Sequence, residues 1–186
     1  FKPFVYAAAL ENGFTPSTVI LDAPFVIDQG EGLKTWKPEN YGKKFYGPST
    51  LRTGIEKSRN LMTVRVAQKV GLEKISKITN SFGIYDDVPE LLSVSLGSVE
   101  TTLVQLTNAY CTFVNGGKKV TPIFIDRIQD RRGKTIFNAD KRKCVGCQEI
   151  SYLKKEIPLI QDDREQIITP ETAYQITSMM EGVTKR

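Results

Sequence analysis

Phe1-Lys2-Pro3-Phe4-Val5-Tyr6-Ala7-Ala8-Ala9-Leu10-Glu11 is the stretch on which the fold turns. Pro3 suits the first turn of a helix, where a backbone N–H has no partner to lose. Gly13 is a natural stop. The spacing predicts a helix from Pro3 to Asn12, with Val5, Ala8 and Ala9 on one face. The apolar run from Val5 to Leu10 falls far short of the roughly 20 residues of a membrane span.

The rest of the chain reads outward from there. Thr18 to Ile27 is β-branched but broken by Asp22 and Pro24, so it predicts short extended pieces. Asp28 to Pro48 carries Gly30, Gly32, Gly42, Gly47, Pro38 and Pro48 and reads as loop. Ser49 is placed to cap a helix over Thr50 to Lys57. After a break at Ser58-Arg59-Asn60, Leu61 to Val70 resumes helical spacing through Met62, Val66 and Val70. Gly71 ends that helix, and Leu72 to Asn80 forms another on Leu72, Ile75 and Ile78. Val94 to Leu96 is a short element.

Thr102 to Asn115 is the clearest helix, with Leu103, Leu106, Ala109, Tyr110 and Phe113 repeating along it. Val120 to Asp130 predicts a strand with a bulge near Ile128. Arg131-Arg132-Gly133-Lys134 then turns into Thr135 to Phe137. Ala139 to Ile168 is long, charged and irregular, holding Lys154-Lys155-Glu156 and Asp162-Asp163-Arg164-Glu165. Thr169 caps a last helix with Pro170 at its first position and Ala173, Ile176, Met180 and Val183 along one side.

Composition excludes several chemistries. The 186 residues are 40% hydrophobic and 25% charged, ordinary for a globular chain with a sizeable core. With 26 basic and 21 acidic residues the net charge is +5, a mildly basic surface. The densest basic run, Lys141-Arg142-Lys143, lacks interleaved aromatics, so no nucleic-acid partner is expected. Histidine is absent, which removes Ser-His-Asp triads, Cys-His dyads and His-ligated zinc. Any nucleophilic chemistry needs another base, and lysine is the obvious one. Cys144-Val145-Gly146-Cys147 lacks the further ligands a zinc site requires, and no metal or cofactor is expected. A redox pair lacks its usual βαβ surroundings, which leaves a local disulfide pinning a loop as the favoured reading. Cys111, inside a helix, reads as a small buried hydrophobe.

Ser58-Arg59-Asn60 places two polar side chains at a junction between helices. Alone, that pattern is a helix cap. Its context is more specific. The opening run resembles the active-site helix of class A penicillin-binding proteins, whose Ser-x-x-Lys motif would put its lysine at Lys2 and its serine two positions before Phe1. Gly13-Phe14-Thr15-Pro16 with Asp22-Ala23-Pro24, Trp36-Lys37-Pro38-Glu39-Asn40-Tyr41, and Thr50-Leu51-Arg52 with Ser58-Arg59-Asn60 resemble the next segments of that family. Ser95-Leu96-Gly97, Ala109-Tyr110 through Asn115-Gly116-Gly117, and Thr169-Pro170-Glu171-Thr172-Ala173-Tyr174 to Gly182-Val183 complete the ordered match.

The resemblance implies an α/β fold of the penicillin-binding protein and β-lactamase kind, mostly its helical part, without the strand of the third motif. It implies one partial transpeptidase domain over 1–186, with 139–168 an insert. Lys2 would be the general base, Ser58 would relay a proton to the leaving amine, and Asn60 would hold the substrate amide and Lys2. A lysine can act so only if burial or nearby positive charge lowers its pKa. The implied reaction is serine acyl transfer on D-Ala-D-Ala stem peptides of peptidoglycan, with β-lactams as the other ligands. The implied parent adds a membrane anchor and a glycosyltransferase domain and works on the periplasmic side of the inner membrane. Without the serine and the third motif, this chain alone is expected not to acylate.

Two other functions share the features. A β-lactamase or DD-carboxypeptidase would use the same fold, but Arg59 stands where class A β-lactamases favour Asp, and their deacylating glutamate has no match. A non-catalytic scaffold would fit a decayed site, but Lys2, Ser58 and Asn60 are all retained. The residue two before Phe1 decides between enzyme and scaffold.

Overall fold

A computed structural model describes residues 1–28, 35–86, 89, 91–142, 144–145 and 159–185. Gly30, Gly32, Lys143, Cys147 and Lys154-Lys155-Glu156 lie outside them, and with them the expected Cys144–Cys147 disulfide. The chain forms two compact units, Phe1–Val120 with Gln166–Arg186, and Thr121–Glu165.

The larger unit is built round α1 (Lys2–Glu11), against which α2 (Leu51–Glu56), α3 (Asn60–Val70), α4 (Leu72–Ser81) and α6 (Pro170–Lys185) all pack. The single apolar face expected of α1 is instead a whole circumference. Every residue from Phe4 to Leu10 is buried. A helix apolar all round belongs in a core, and its three alanines let neighbours come close. Phe4 stacks on Phe113 at 5.1 Å and meets Phe82 edge-on at 5.4 Å. Burying one such ring contributes roughly 1.5–3 kcal/mol.

β1 (Val19–Asp22) pairs antiparallel with β2 (Gly47–Thr50), in a register running from Val19 opposite Thr50 to Asp22 opposite Gly47. Gly47 and Pro48, expected in loop, are thus strand residues. Pairing with β1 decides this against their turn-forming habit. The helix cap shifts with them: the Thr50 hydroxyl, not Ser49, accepts from Thr53 N at 3.2 Å. A 3₁₀ turn at Leu92–Leu96 packs on α3.

α5 (Leu103–Val114) starts in a full capping box between Thr102 and Gln105. Its buried face is Ala109, Thr112 and Phe113. Leu103, expected in the stripe, is 80% exposed, because only the later turns of α5 reach its neighbours. Cys111 is exposed as well, contrary to the buried thiol expected. It lies about 200° round the helix from Ala109 and Phe113. On α6 the buried stripe is Thr172, Ala173, Ile176 and Met179. Val183 is half exposed, since Gly182 is the residue facing α2 there. No helix among the described residues is long and apolar enough to cross a membrane.

In the smaller unit β3 (Arg127–Gln129) pairs with β4 (Thr135–Asn138), and the register slips between Ile128 and Gln129, the bulge expected there. The strand is shorter than the predicted Val120 to Asp130: beyond Arg127 opposite Asn138, the pairing continues with Ala139 N donating to Asp126 O at 2.8 Å. Within the stretch expected to be irregular, β5 (Cys144–Val145) pairs with β6 (Leu159–Ile160).

Gly117 joins the end of α5 to the segment entering α6, its carbonyl accepting from Ile167 N at 2.8 Å. Its φ is +83°, and a Cβ there would stand 2.4 Å from the Ile168 carbonyl oxygen. Gly116 has φ +66° but open space around it. Gly116→Ala is expected to cost about 1 kcal/mol, and Gly117→Ala about 2 kcal/mol more, because backbone must move. Urea unfolding midpoints check the difference; equal midpoints would refute it.

Candidate active site

The site lies where the first turn of α1 meets the α2–α3 junction. Helix α2 ends at Glu56, and the chain closes with Ser58 N donating to Ile55 O at 3.0 Å and Arg59 N to Gly54 O at 2.9 Å. This closure puts Ser58 at φ +51°, the left-handed position that usually falls to glycine at a helix end. α3 begins at once with Asn60. The sharp turn leaves the Ser58 hydroxyl, the Ser58 carbonyl and the Asn60 amide facing one side.

Lys2 faces them from α1. Its Nζ donates to Ser58 O at 2.7 Å, to Ser58 Oγ at 2.9 Å and to Asn60 Oδ1 at 2.6 Å. The three residues singled out in the sequence therefore meet at one amine. Burial lowers the Lys2 pKa from its ordinary value to about 8, because desolvation disfavours the charged form. Tyr6, one turn further along α1, is pushed up to about 12 by burial and stays a neutral phenol near Thr63. Phe1 packs on Tyr85, with ring centroids 5.8 Å apart.

The middle residue of the turn points elsewhere. The Arg59 guanidinium lies over the Tyr46 ring, 3.1 Å from its centroid, and Arg59 Nε is 3.9 Å from Asp22 Oδ2. Asn60 Nδ2 donates to Glu39 O at 2.8 Å. Sequence reasoning missed Asp22, Glu39, Asn40 and Tyr46 as neighbours of the site, having quoted the first three as parts of family segments and Asp22 also as a break in an extended stretch. The available signal was a single Asp interrupting the apolar run from Val19 to Val26; Asn40, among Lys37, Pro38 and Glu39, carried none.

Chemically the arrangement offers a lysine amine able to lose its proton near neutral pH, a hydroxyl in contact with it, and an amide that accepts from it. These are the parts of a general-base relay without histidine. The sequence profile described as penicillin binding protein transpeptidase domain matches residues 1–186. The chain belongs to the penicillin-binding protein transpeptidase family.

The transpeptidase assignment has close company. Penicillin-binding protein 1A of Rickettsia bellii is 47% identical over the whole chain, and that of Pseudomonas aeruginosa is 32% identical. The chain spans about a quarter of these relatives, 24% and 26% of their lengths. The crystal structure of penicillin-binding protein 1A from Haemophilus influenzae superposes with a TM-score of 0.81 at 33% identity, over 98% of this chain and 28% of that one. PonA1 of Mycobacterium tuberculosis, solved in complex with penicillin V, shares the fold at a TM-score of 0.75 and 18% identity, over 96% of this chain and 44% of that one.

The left-handed backbone at Ser58 yields a test of its own. Ser58→Gly relieves the strained φ, whereas Ser58→Ala keeps it. The glycine variant is expected to be more stable than the alanine variant by about 1 kcal/mol. Chemical denaturation of the two compares them directly, and an alanine variant equal to or above glycine would contradict the strain.

Proposed function

We propose that this chain is part of a serine-type D-Ala-D-Ala transpeptidase that cross-links peptidoglycan stem peptides and is acylated by β-lactams. The observation that carries the reading is the Lys2 amine, half-buried and held by oxygens of Ser58 and Asn60. Family membership supports the substrate class. In this reading residues 1–186 are part of one transpeptidase domain, with 139–168 an insert in it. The parent protein adds a glycosyltransferase domain and a membrane anchor and acts at the periplasmic face of the inner membrane.

The nucleophile is a serine one helical turn before Lys2, at a position not among residues 1–186. Neutral Lys2 takes the hydroxyl proton as the serine oxygen attacks the penultimate D-Ala carbonyl. Ser58 passes a proton to the departing terminal D-Ala amine, which leaves with the electron pair of the broken amide bond. Asn60 holds the substrate amide and keeps Lys2 in place. An acceptor amine then displaces the serine, giving the cross-link and returning the proton. With a β-lactam the broken amide lies in a ring, so the leaving amine stays tethered and the acyl-enzyme persists.

The test is the rate of labelling of the intact parent protein by a fluorescent penicillin. Because the base must be neutral and burial sets Lys2 at about 8, the rate rises about tenfold per unit up to that pH and then levels. Lys2→Met is expected to slow labelling by about 10²-fold or more. A profile flat through pH 8, or a Lys2→Met variant labelled at the normal rate, would sink the base assignment. Residues 1–186 alone remain unlabelled; a covalently labelled band at this chain's mass would show another nucleophile.

A further inference from the structure

We propose that Asp22 and Asn40 form a buried clasp that positions Asn60, and through it Lys2, for acyl transfer; the inference rests on the roles of Lys2 and Asn60 proposed above. Asp22 closes β1 and is fully buried. Its two carboxylate oxygens accept from Asn40 Nδ2 at 2.8 and 3.0 Å. Asn40 Nδ2 donates also to Lys44 O at 2.9 Å, and Asn40 Oδ1 accepts from Leu61 N at 3.3 Å. The Asn40 amide is thereby committed in both donor directions and at its acceptor.

The next link is backbone. Glu39, one residue before Asn40, offers its carbonyl to Asn60 Nδ2 at 2.8 Å. Residues 39 and 40 together grip the first two residues of α3, one by side chain and one by main chain. The grip has a chemical consequence. An asparagine side chain is nearly symmetric in shape, with an acceptor and a donor end. With its Nδ2 drawn to Glu39 O, Asn60 must present Oδ1 to the Lys2 amine, as the 2.6 Å contact has it. Released from Glu39, the amide could turn its NH₂ toward Lys2 and lose that bond.

Asp22 anchors the whole arrangement. A carboxylate with no exposure needs hydrogen bonds and an opposite charge. Asn40 supplies the first, and Arg59, from the turn itself, supplies the second at 3.9 Å. Arg59 thus pairs its charge with Asp22 and not with the site's lysine. Lys2 Nζ meets the oxygens of Ser58 and Asn60 instead. A clasp that served packing alone would have no reason to end on the amide that holds the amine.

The test uses the intact parent protein, with fluorescent-penicillin labelling followed against pH. Each rate is expressed per molecule that labels at saturation, which removes any unfolded fraction. Asn40→Ala is expected to slow labelling per competent molecule at least about tenfold and to move the midpoint of the alkaline rise by about half a unit or more, since Lys2 loses a defined acceptor. Asp22→Asn keeps the shape and an acceptor oxygen but drops the charge paired with Arg59. It is expected to show a smaller effect in the same direction, and it decides the matter should Asn40→Ala not label at all. Rates and midpoints equal to wild type, with only the labelled fraction reduced, would overturn the clasp as a positioning device. A wild-type profile flat through pH 8 overturns the base assignment, and the clasp's positioning role with it. The clasp fails separately when wild type shows the rise and neither variant changes it.

Discussion

Partly shielding a lysine amine from water while satisfying it with neutral oxygens is the constraint on which the site depends. Burial alone would leave three N–H donors without partners. A carboxylate partner would satisfy them but hold the proton in place. The Ser58 carbonyl, the Ser58 hydroxyl and the Asn60 amide oxygen accept without bringing charge. The amine can then sit at a pKa of about 8, within reach of neutral conditions. The carboxylate of the neighbourhood, Asp22, is occupied by Asn40 and Arg59.

Such a balance tolerates little movement, and the fold supplies rigid mounts on both sides. Lys2 sits at the start of a helix whose following turns are buried all round. The Phe4, Phe82, Tyr110 and Phe113 rings lock that helix by packing. Opposite, Ser58 is held in a left-handed conformation that a serine would not choose alone. Strain of this kind persists only where surrounding bonds overdetermine it. Here the closing bonds from Ser58 N and Arg59 N to the end of α2 do so. The strain is what lets a carbonyl and a side chain of one residue point to the same amine.

Much of this was legible where local chemistry decides structure. The Gly71 stop and the Pro170 start mark their helices because each feature acts within one turn. Features set by a distant partner were not legible. Gly47 and Pro48 read as loop because nothing local says that β1 lies beside them. Leu103 and Val183 follow helical spacing as well as any buried residue, but their exposure depends on which turns and residues of the neighbouring helices face them. The site shows the same division. Ser58-Arg59-Asn60 by itself reads as a cap, and Arg59 does precede the first turn of α3. Only the ordered family resemblance marked it as chemistry. The Glu39 carbonyl was invisible, because a backbone oxygen carries no signature in the sequence.

The residue types at the site follow from the same physics. Arginine at position 2 would stay protonated at any pH the fold survives, so it could hold substrate but not take a proton. Aspartate at position 60 would match asparagine in shape, yet place a negative charge where the amide oxygen now lies 2.6 Å from the amine. That charge would favour the ammonium and raise the pKa that burial has lowered. It would also surrender the donor that reaches Glu39 O. An amide is thus the group that accepts from the lysine, donates to the loop and adds no charge. Asn40 meets the same three demands one layer away, between Asp22, Lys44 O and Leu61 N. Two asparagines in series convert a buried carboxylate into an orientation at the lysine without passing on its charge.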